Sequence, residues 1–154
     1  AMFRQSPPQV PMALMFGGVI PFASSAGAMI VLRQDLALLN LAALWLLVYA
    51  AVILSFLGGV RWGAEIAKRE RPRFAELGPS VLGALVGWGI VMAGFQHGMQ
   101  TWMFAAMGAA LTLHYFYDVI SPELPLWYRR MRLWPTLGAV LSLAAAYFVL
   151  TQQG

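Results

Sequence analysis

Four residues in this sequence have the types and spacing to act together: Arg61 and Glu65, and His114 and Asp118, each pair four positions apart. On a helix, positions i and i+4 lie along one face, so each pair sets complementary groups side by side. With Trp62, Tyr115 and Tyr117 beside them, the four could form a proton-linked or head-group site, because ionisable residues near membrane depth mark such places. The competing expectation is that they are boundary charges paired for topology and packing, since a charge at a helix end costs far less than one at the bilayer centre.

Elsewhere the chain is poor in reactive groups. It has no cysteine, which removes disulfides, thiolate metal sites and cysteine nucleophiles together. The two histidines, His97 and His114, belong to no metalloprotease helix motif, and there is no nucleophile elbow and no phosphate-binding glycine loop. On one helix they would stand roughly 25 Å apart at 1.5 Å per residue, too far to hold a haem between them. Of the nine methionines only Met99, Met103 and Met107 share a helical stripe, and flexible apolar filling explains the set better than metal handling. No catalytic residue, metal site or cofactor is predicted, with a bound lipid or quinone left open.

The elements that must position the four residues follow from hydropathy. Of 154 residues, 60% are apolar and 10% charged, and the mean hydropathy is +0.70. The apolar residues fall in runs of about 20, the length a bilayer core of roughly 30 Å requires. The reading is an all-α integral membrane bundle, a single membrane domain over 1–154, with spans at about 10–32, 36–60, 77–96, 101–120 and 133–150. Arg61 to Glu76 is read as the main loop, and His97 to Gln100 as a tight turn. Ala1 to Val10 lacks an apolar core followed by a small-residue cleavage site, so no cleaved signal peptide is expected.

Small residues punctuate these spans. Gly17, Gly18 and Pro21 interrupt span one, where proline removes a helix hydrogen bond, so a bend or unwinding is predicted between Gly17 and Pro21. The carbonyl so freed needs a donor in lipid, from Ser24, Ser25 or a neighbouring helix. Gly58 and Gly59 would let span four approach span two. Gly83 and Gly87 make a small-xxx-small pair, read as internal packing before a dimer seam. Trp62, Trp127, Tyr128, Arg129, Arg130 and Arg132 read as an interfacial anchor, rings at headgroup depth and cations reaching outward.

With five spans, Arg4, Arg61, Lys68, Arg69, Arg71, Arg73, Arg129, Arg130 and Arg132 share one side and Arg33 stands alone on the other. The positive-inside rule then puts the amino terminus inside and the carboxyl terminus outside. The net charge of +4 does not indicate nucleic acid, because the cations lie between apolar runs and not on a soluble face.

Four blocks carry a family resemblance: Gly18 to Phe22 (GVIPF), Leu54 to Gly63 (LSFLGGVRWG), Ser80 to Leu85 (SVLGAL) with Trp88, and Leu124 to Arg132 (LPLWYRRMR). In this order, over nearly the whole chain, the sequence resembles the transmembrane protein 69-like family, a domain of unknown function found in bacteria and mitochondria. It departs at Arg61, often histidine there, and at Gly83, where proline is common. The resemblance implies a small multi-span protein of a bacterial or mitochondrial inner membrane and brings no catalytic set. Two functions are weighed: a non-enzymatic accessory or assembly component packing against a larger membrane complex or a second copy, and a small carrier or lipid- or quinone-binding protein with its site at the inner ends of spans two and four. An enzyme acting on lipid or quinone ranks third.

Overall fold

A computed structural model describes residues 8–153, so Arg4, counted above for topology, lies outside the described residues. The elements run α1 (Gln9–Gly17), α2 (Ile20–Val31), α3 (Leu36–Lys68), α4 (Phe74–His97), α5 (Thr101–Val119), α6 (Leu126–Met131) and α7 (Leu133–Thr151), and the described residues contain no strand. Four stretches are long and apolar enough to cross a membrane: Gln9–Val31, Leu36–Lys68, Phe74–His97 and Leu126–Thr151. The fifth, α5, is less apolar and returns the chain between the second pair. Its start lies where Met99 and Met103 meet Gly94 near the end of α4, and its finish where Tyr117 reaches Glu76 near the start of α4.

Local chemistry sets the boundaries. At the head of α3 the Asp35 carboxylate accepts the Leu38 amide N–H at 3.2 Å, satisfying one of the donors a helix start leaves open. At the end of α4, Gly98 takes a φ of +78°, which L side chains resist, and the chain turns within three residues. His97 is therefore the last residue of α4, and the turn is Gly98 to Gln100.

The second boundary of α3 differs from the expected one. The helix continues past Val60 through Arg61 and Glu65 to Lys68, and the connection to α4 is only Arg69 to Arg73. The charges of this segment do not end the helix, because Arg61 and Glu65 face inward, 4% and 3% exposed, and find partners there. At 1.5 Å per residue the 33 residues of α3 extend about 50 Å, well beyond a roughly 30 Å hydrocarbon core.

The outside of the bundle is as apolar as its inside. Met29, Leu39, Leu46, Leu47, Met103 and Met107 are fully buried, while Trp45, Phe56, Trp88, Phe95, Phe116 and Phe148 are exposed. An aqueous surface does not carry so continuous an apolar cover, whereas lipid requires it. Burial of Met103 and Met107 places the methionine stripe in the core.

The α3–α4 contact is built on glycine. A Cβ at Gly87 would stand 3.0 Å from the Ala51 Cβ, and one at Gly83 would stand 3.2 Å from Leu54. The pair thus serves internal packing. Gly58 also faces α4, where a Cβ would collide with the Ser80 carbonyl oxygen, while Gly59 meets nothing within 4 Å. Neither glycine brings α5 toward α3, so that expectation fails: the residues on α3's shared face with α4 set the approach, and α5 packs elsewhere on α3.

Span one is interrupted as predicted. Helical assignment lapses at Gly18 and Val19, where the Val19 N–H bonds the Phe16 carbonyl in a tighter turn at 3.1 Å. The donor that reaches this break is Tyr49 of α3, whose hydroxyl donates to the Gly18 carbonyl at 2.6 Å while its ring meets Phe22 edge-on at 4.8 Å. Ser24 instead bonds its own turn, at the Pro21 carbonyl. Tyr49→Phe should leave the fold intact and lower stability by about 0.5–1.5 kcal/mol in detergent melting, with faster amide exchange around the break. No change in either would deny the contact a role.

Candidate functional site

At the end of the bundle where α3 turns into α4, the polar residues form layers around Asp118. Because α5 presents Met107, Leu111, His114 and Asp118 along one inward stripe, the carboxylate of Asp118 arrives in the core with no exposed surface. Its Oδ2 accepts the Arg132 Nε–H at 2.9 Å and lies 3.2 Å from His114 Nδ1. Its Oδ1 lies 3.8 Å from Arg61 Nη1. One carboxylate thereby ties α3, α5 and the α6–α7 junction.

Arg61 carries the next layer. Its Nη2 donates to Glu76 Oε2 at 3.0 Å, and its guanidinium stacks on the Tyr117 ring at 3.9 Å. Tyr117 donates to the same Glu76 oxygen at 3.3 Å. Outermost, Glu65 Oε1 accepts the Arg73 backbone N–H at 3.0 Å and its Nε–H at 3.3 Å, and Arg69 Nε lies 3.1 Å away. Glu123 gathers Lys68, Arg69 and Arg73. The Glu65 hydrogen bond pushes the Arg73 guanidinium further above its ordinary value, so Arg73 stays charged at any working pH.

The four residues singled out in the sequence are thus brought together unequally. Arg61, His114 and Asp118 converge. Glu65 shares the inward face of α3 with Arg61 but does not pair with it: Arg61 reaches across to Glu76 and Asp118, and the chain reversal at Arg69 to Arg73 wraps around Glu65. Tyr117, placed beside the two pairs in the sequence, joins them, and residues that the spacing did not indicate, Glu76, Glu123, Thr136 and Arg132, complete the network. Their signal was that they sit at the ends of the same spans, which becomes readable only once helix ends are placed.

Arg132 needs a correction. Read as an outward interfacial cation, it is 3% exposed, with Nε on Asp118 and Nη1 donating to Thr136 at 2.9 Å. Asp118 draws it inward, because a buried carboxylate without a cation costs more than a buried pair. Arg129 is half-buried and donates to the Val119 carbonyl at 3.4 Å, near the end of α5. Of the three arginines only Arg130 is exposed, with Trp62 exposed and Trp127 half-exposed as the aromatic part of the rim.

Each carboxylate of the network is paired with at least one cation, but not every polar atom finds a hydrogen bond. Five cations, Arg61, Lys68, Arg69, Arg73 and Arg132, face four carboxylates, Glu65, Glu76, Asp118 and Glu123. Among the described residues Arg132 Nη2, Arg61 Nη1, His114 Nε2, the Tyr128 hydroxyl and the acceptor Asp118 Oδ1 are buried without a hydrogen-bond partner. Chemically the cluster is a joint with cationic excess, and no group of three or more metal-ligating side chains occurs among the described residues.

Comparison with known proteins agrees with this architecture. A family described as "Protein of unknown function (DUF3429)" matches residues 7–148. The chain is similar to transmembrane protein 69 of Xenopus tropicalis, 31% identical over 144 residues covering 90% of this chain and 54% of that protein. It is also similar to transmembrane protein 69 of Mus musculus, 26% identical over 139 residues covering 88% of this chain and 54% of that protein. The chain therefore spans about half the length of these curated relatives. No solved structure matches it.

Proposed function

Because the chain belongs to the family described as protein of unknown function DUF3429, and within it is a small multi-pass membrane protein, we propose that it is a non-enzymatic accessory component that packs against a partner helix in an inner membrane. The observation that carries this reading is the outer face of α3. There Ser55, Gly59, Gly63 and Ala67 follow one another every four residues on a side turned away from α4, and neither Gly59 nor Gly63 has an atom within 4 Å of where a Cβ would be. Glycine in a helix costs about 1 kcal/mol relative to alanine, and in lipid that cost is recovered when another backbone approaches. The glycines that pack α3 on α4 lie on the other side, so this stripe is not used within the bundle.

The engaged carboxylates support the same reading, since a joint whose acids are all held by cations acts as a structural lock. The inner-membrane orientation, amino terminus inside, is part of the proposal and rests on the nine-to-one cation asymmetry.

Gly63→Leu tests the docking face. The substitution meets open space and removes a helix-interior glycine, so the purified bundle should be no less stable than the parent and should gain up to about 1 kcal/mol. In native gels of mild-detergent extracts, the parent should migrate well above its 16.9 kDa mass and the variant should not. A second copy or a different protein in the larger band would identify the partner. Equal migration of both at the size of one chain would end the proposal.

A further inference from the structure

Beneath the broken first span lies a cavity that the docking reading does not use. It has a volume of about 160 Å³ and is walled by α1, α2, α3, α5 and α7, with Val19, Phe22, Ile53, Leu57, Leu111 and Ala139 among its apolar lining. Its rim includes Leu14 and Phe56, 72% and 64% exposed, so it opens sideways toward the bilayer. Its polar end is made by Arg132, Tyr128 and Thr136.

The polar end is unfinished in one direction only. Arg132 is 97% buried; it spends Nε on Asp118 and Nη1 on Thr136, and Nη2 has no partner. The Tyr128 hydroxyl, also at the cavity, has none either. Thr136 already accepts from Arg132. A buried donor left unpaired costs roughly 1–3 kcal/mol, more when it is charged, so two together on an apolar cavity call for an acceptor. The nearest carboxylate, Asp118, gives Oδ2 to Arg132 Nε and turns its own unpaired Oδ1 toward Arg61, so neither donor is met from within the network.

We propose that this cavity binds an acyl chain bearing an anionic oxygen head, the head held by Arg132 Nη2 and the Tyr128 hydroxyl and the chain leaving past Leu14 and Phe56 into the bilayer. An anionic oxygen accepts from both donors at once and forms the stronger, charge-assisted bond to the guanidinium, which a neutral alcohol or quinone carbonyl does not. Size sets how much enters. An apolar cavity of about 150 Å³ takes a benzene-sized group, so only the first carbons beside the head are enclosed and the remainder lies against lipid. Span one lends itself to admission: α1 contributes no buried residue to the bundle and joins α2 through the break at Gly18 and Val19 that Tyr49 holds.

The test uses the full chain purified in a nonionic detergent, with oleate, oleyl alcohol and dioleoylphosphatidylglycerol as probes and bound mass read by native mass spectrometry. One equivalent of oleate or of the phosphatidylglycerol should be retained, the first assigning the head to a carboxylate and the second to a phosphodiester, while oleyl alcohol is not. Acetate should not compete, because it has no chain to seat. Tyr128→Phe removes a hydroxyl that bonds nothing in the protein, so it should fold normally and weaken retention about tenfold, the effect of losing one hydrogen bond to a charged group. Ala139→Leu fills the cavity and should abolish retention. Equal retention of oleate and oleyl alcohol, retention of neither anion, or retention unchanged in Tyr128→Phe would overturn the proposal. These outcomes are read as bound mass and the Gly63→Leu outcome as migration of the assembly, so the two readings fail separately.

Discussion

Asp118→Ala should lower the stability of the bundle by about 3–5 kcal/mol, the largest single effect expected in this protein. The carboxylate has no exposed surface and is met by Arg132, Arg61 and His114, so its removal strands two buried guanidinium groups at once. Glu76 still holds Arg61 through its other nitrogen, which limits the damage on the α3 side. Arg132 keeps only Thr136, which is neutral. Thermal unfolding in detergent should therefore shift by many degrees, and exchange protection should fall first where α5 meets the α6–α7 junction. Asp118→Asn, which keeps shape and one acceptor but not the charge, should fall between the parent and the alanine variant. A loss under about 1 kcal/mol in Asp118→Ala would mean that the arginines find water or lipid phosphate and that the joint is dispensable.

Gly58→Ala is the second large effect, and its control sits one residue along. At Gly58 a Cβ would strike the backbone carbonyl of Ser80, an atom that cannot turn aside as a side-chain tip would. The α3–α4 interface must then spread, at a cost of about 1–3 kcal/mol, as overpacked cores show. Gly59→Ala meets nothing and should gain up to about 1 kcal/mol from better helix propensity. Opposite signs at adjacent glycines would locate the close contact to a single residue. If both alanines behaved alike, the effect would belong to helix propensity and not to packing.

The spans were legible because lipid imposes length: runs of about 20 apolar residues are visible in any window, and the five helical stretches follow them. Less legible was where helix ends in charge. Arg61 to Lys68 looked like loop because charge was equated with water, but Arg61 and Glu65 turn inward and find partners there, so the helix outlasts the apolar run. The break at Gly18 was readable from Gly17, Gly18 and Pro21, since proline's missing N–H is a local fact. Its partner Tyr49 was not, because only the packing of α2 on α3 brings a residue 31 positions away to that carbonyl.

The site shows the same division. Spacing of four placed His114 beside Asp118 correctly, as both lie on one turn-to-turn row of α5. The same spacing misled for Arg61 and Glu65, whose partners come from the chain reversal at Arg73 and from α4 and α5. Arg132 was hidden by its neighbours: in a run with Arg129 and Arg130 it reads as one more rim cation. It is separated from them by helix phase, because the α6–α7 junction turns it toward Thr136, four residues on, and away from the surface.

The central claim is that the α3–α4 turn end of the bundle holds a buried charge joint centred on Asp118, with Arg132 as its nearest cation. A double-mutant cycle on Asp118→Asn and Arg132→Gln, read by unfolding in one detergent, tests it most directly. The 2.9 Å contact in a buried setting predicts that the double variant is more stable than the sum of the single losses implies, by about 1.5 kcal/mol or more. Additive losses, within about 0.5 kcal/mol, would contradict the joint.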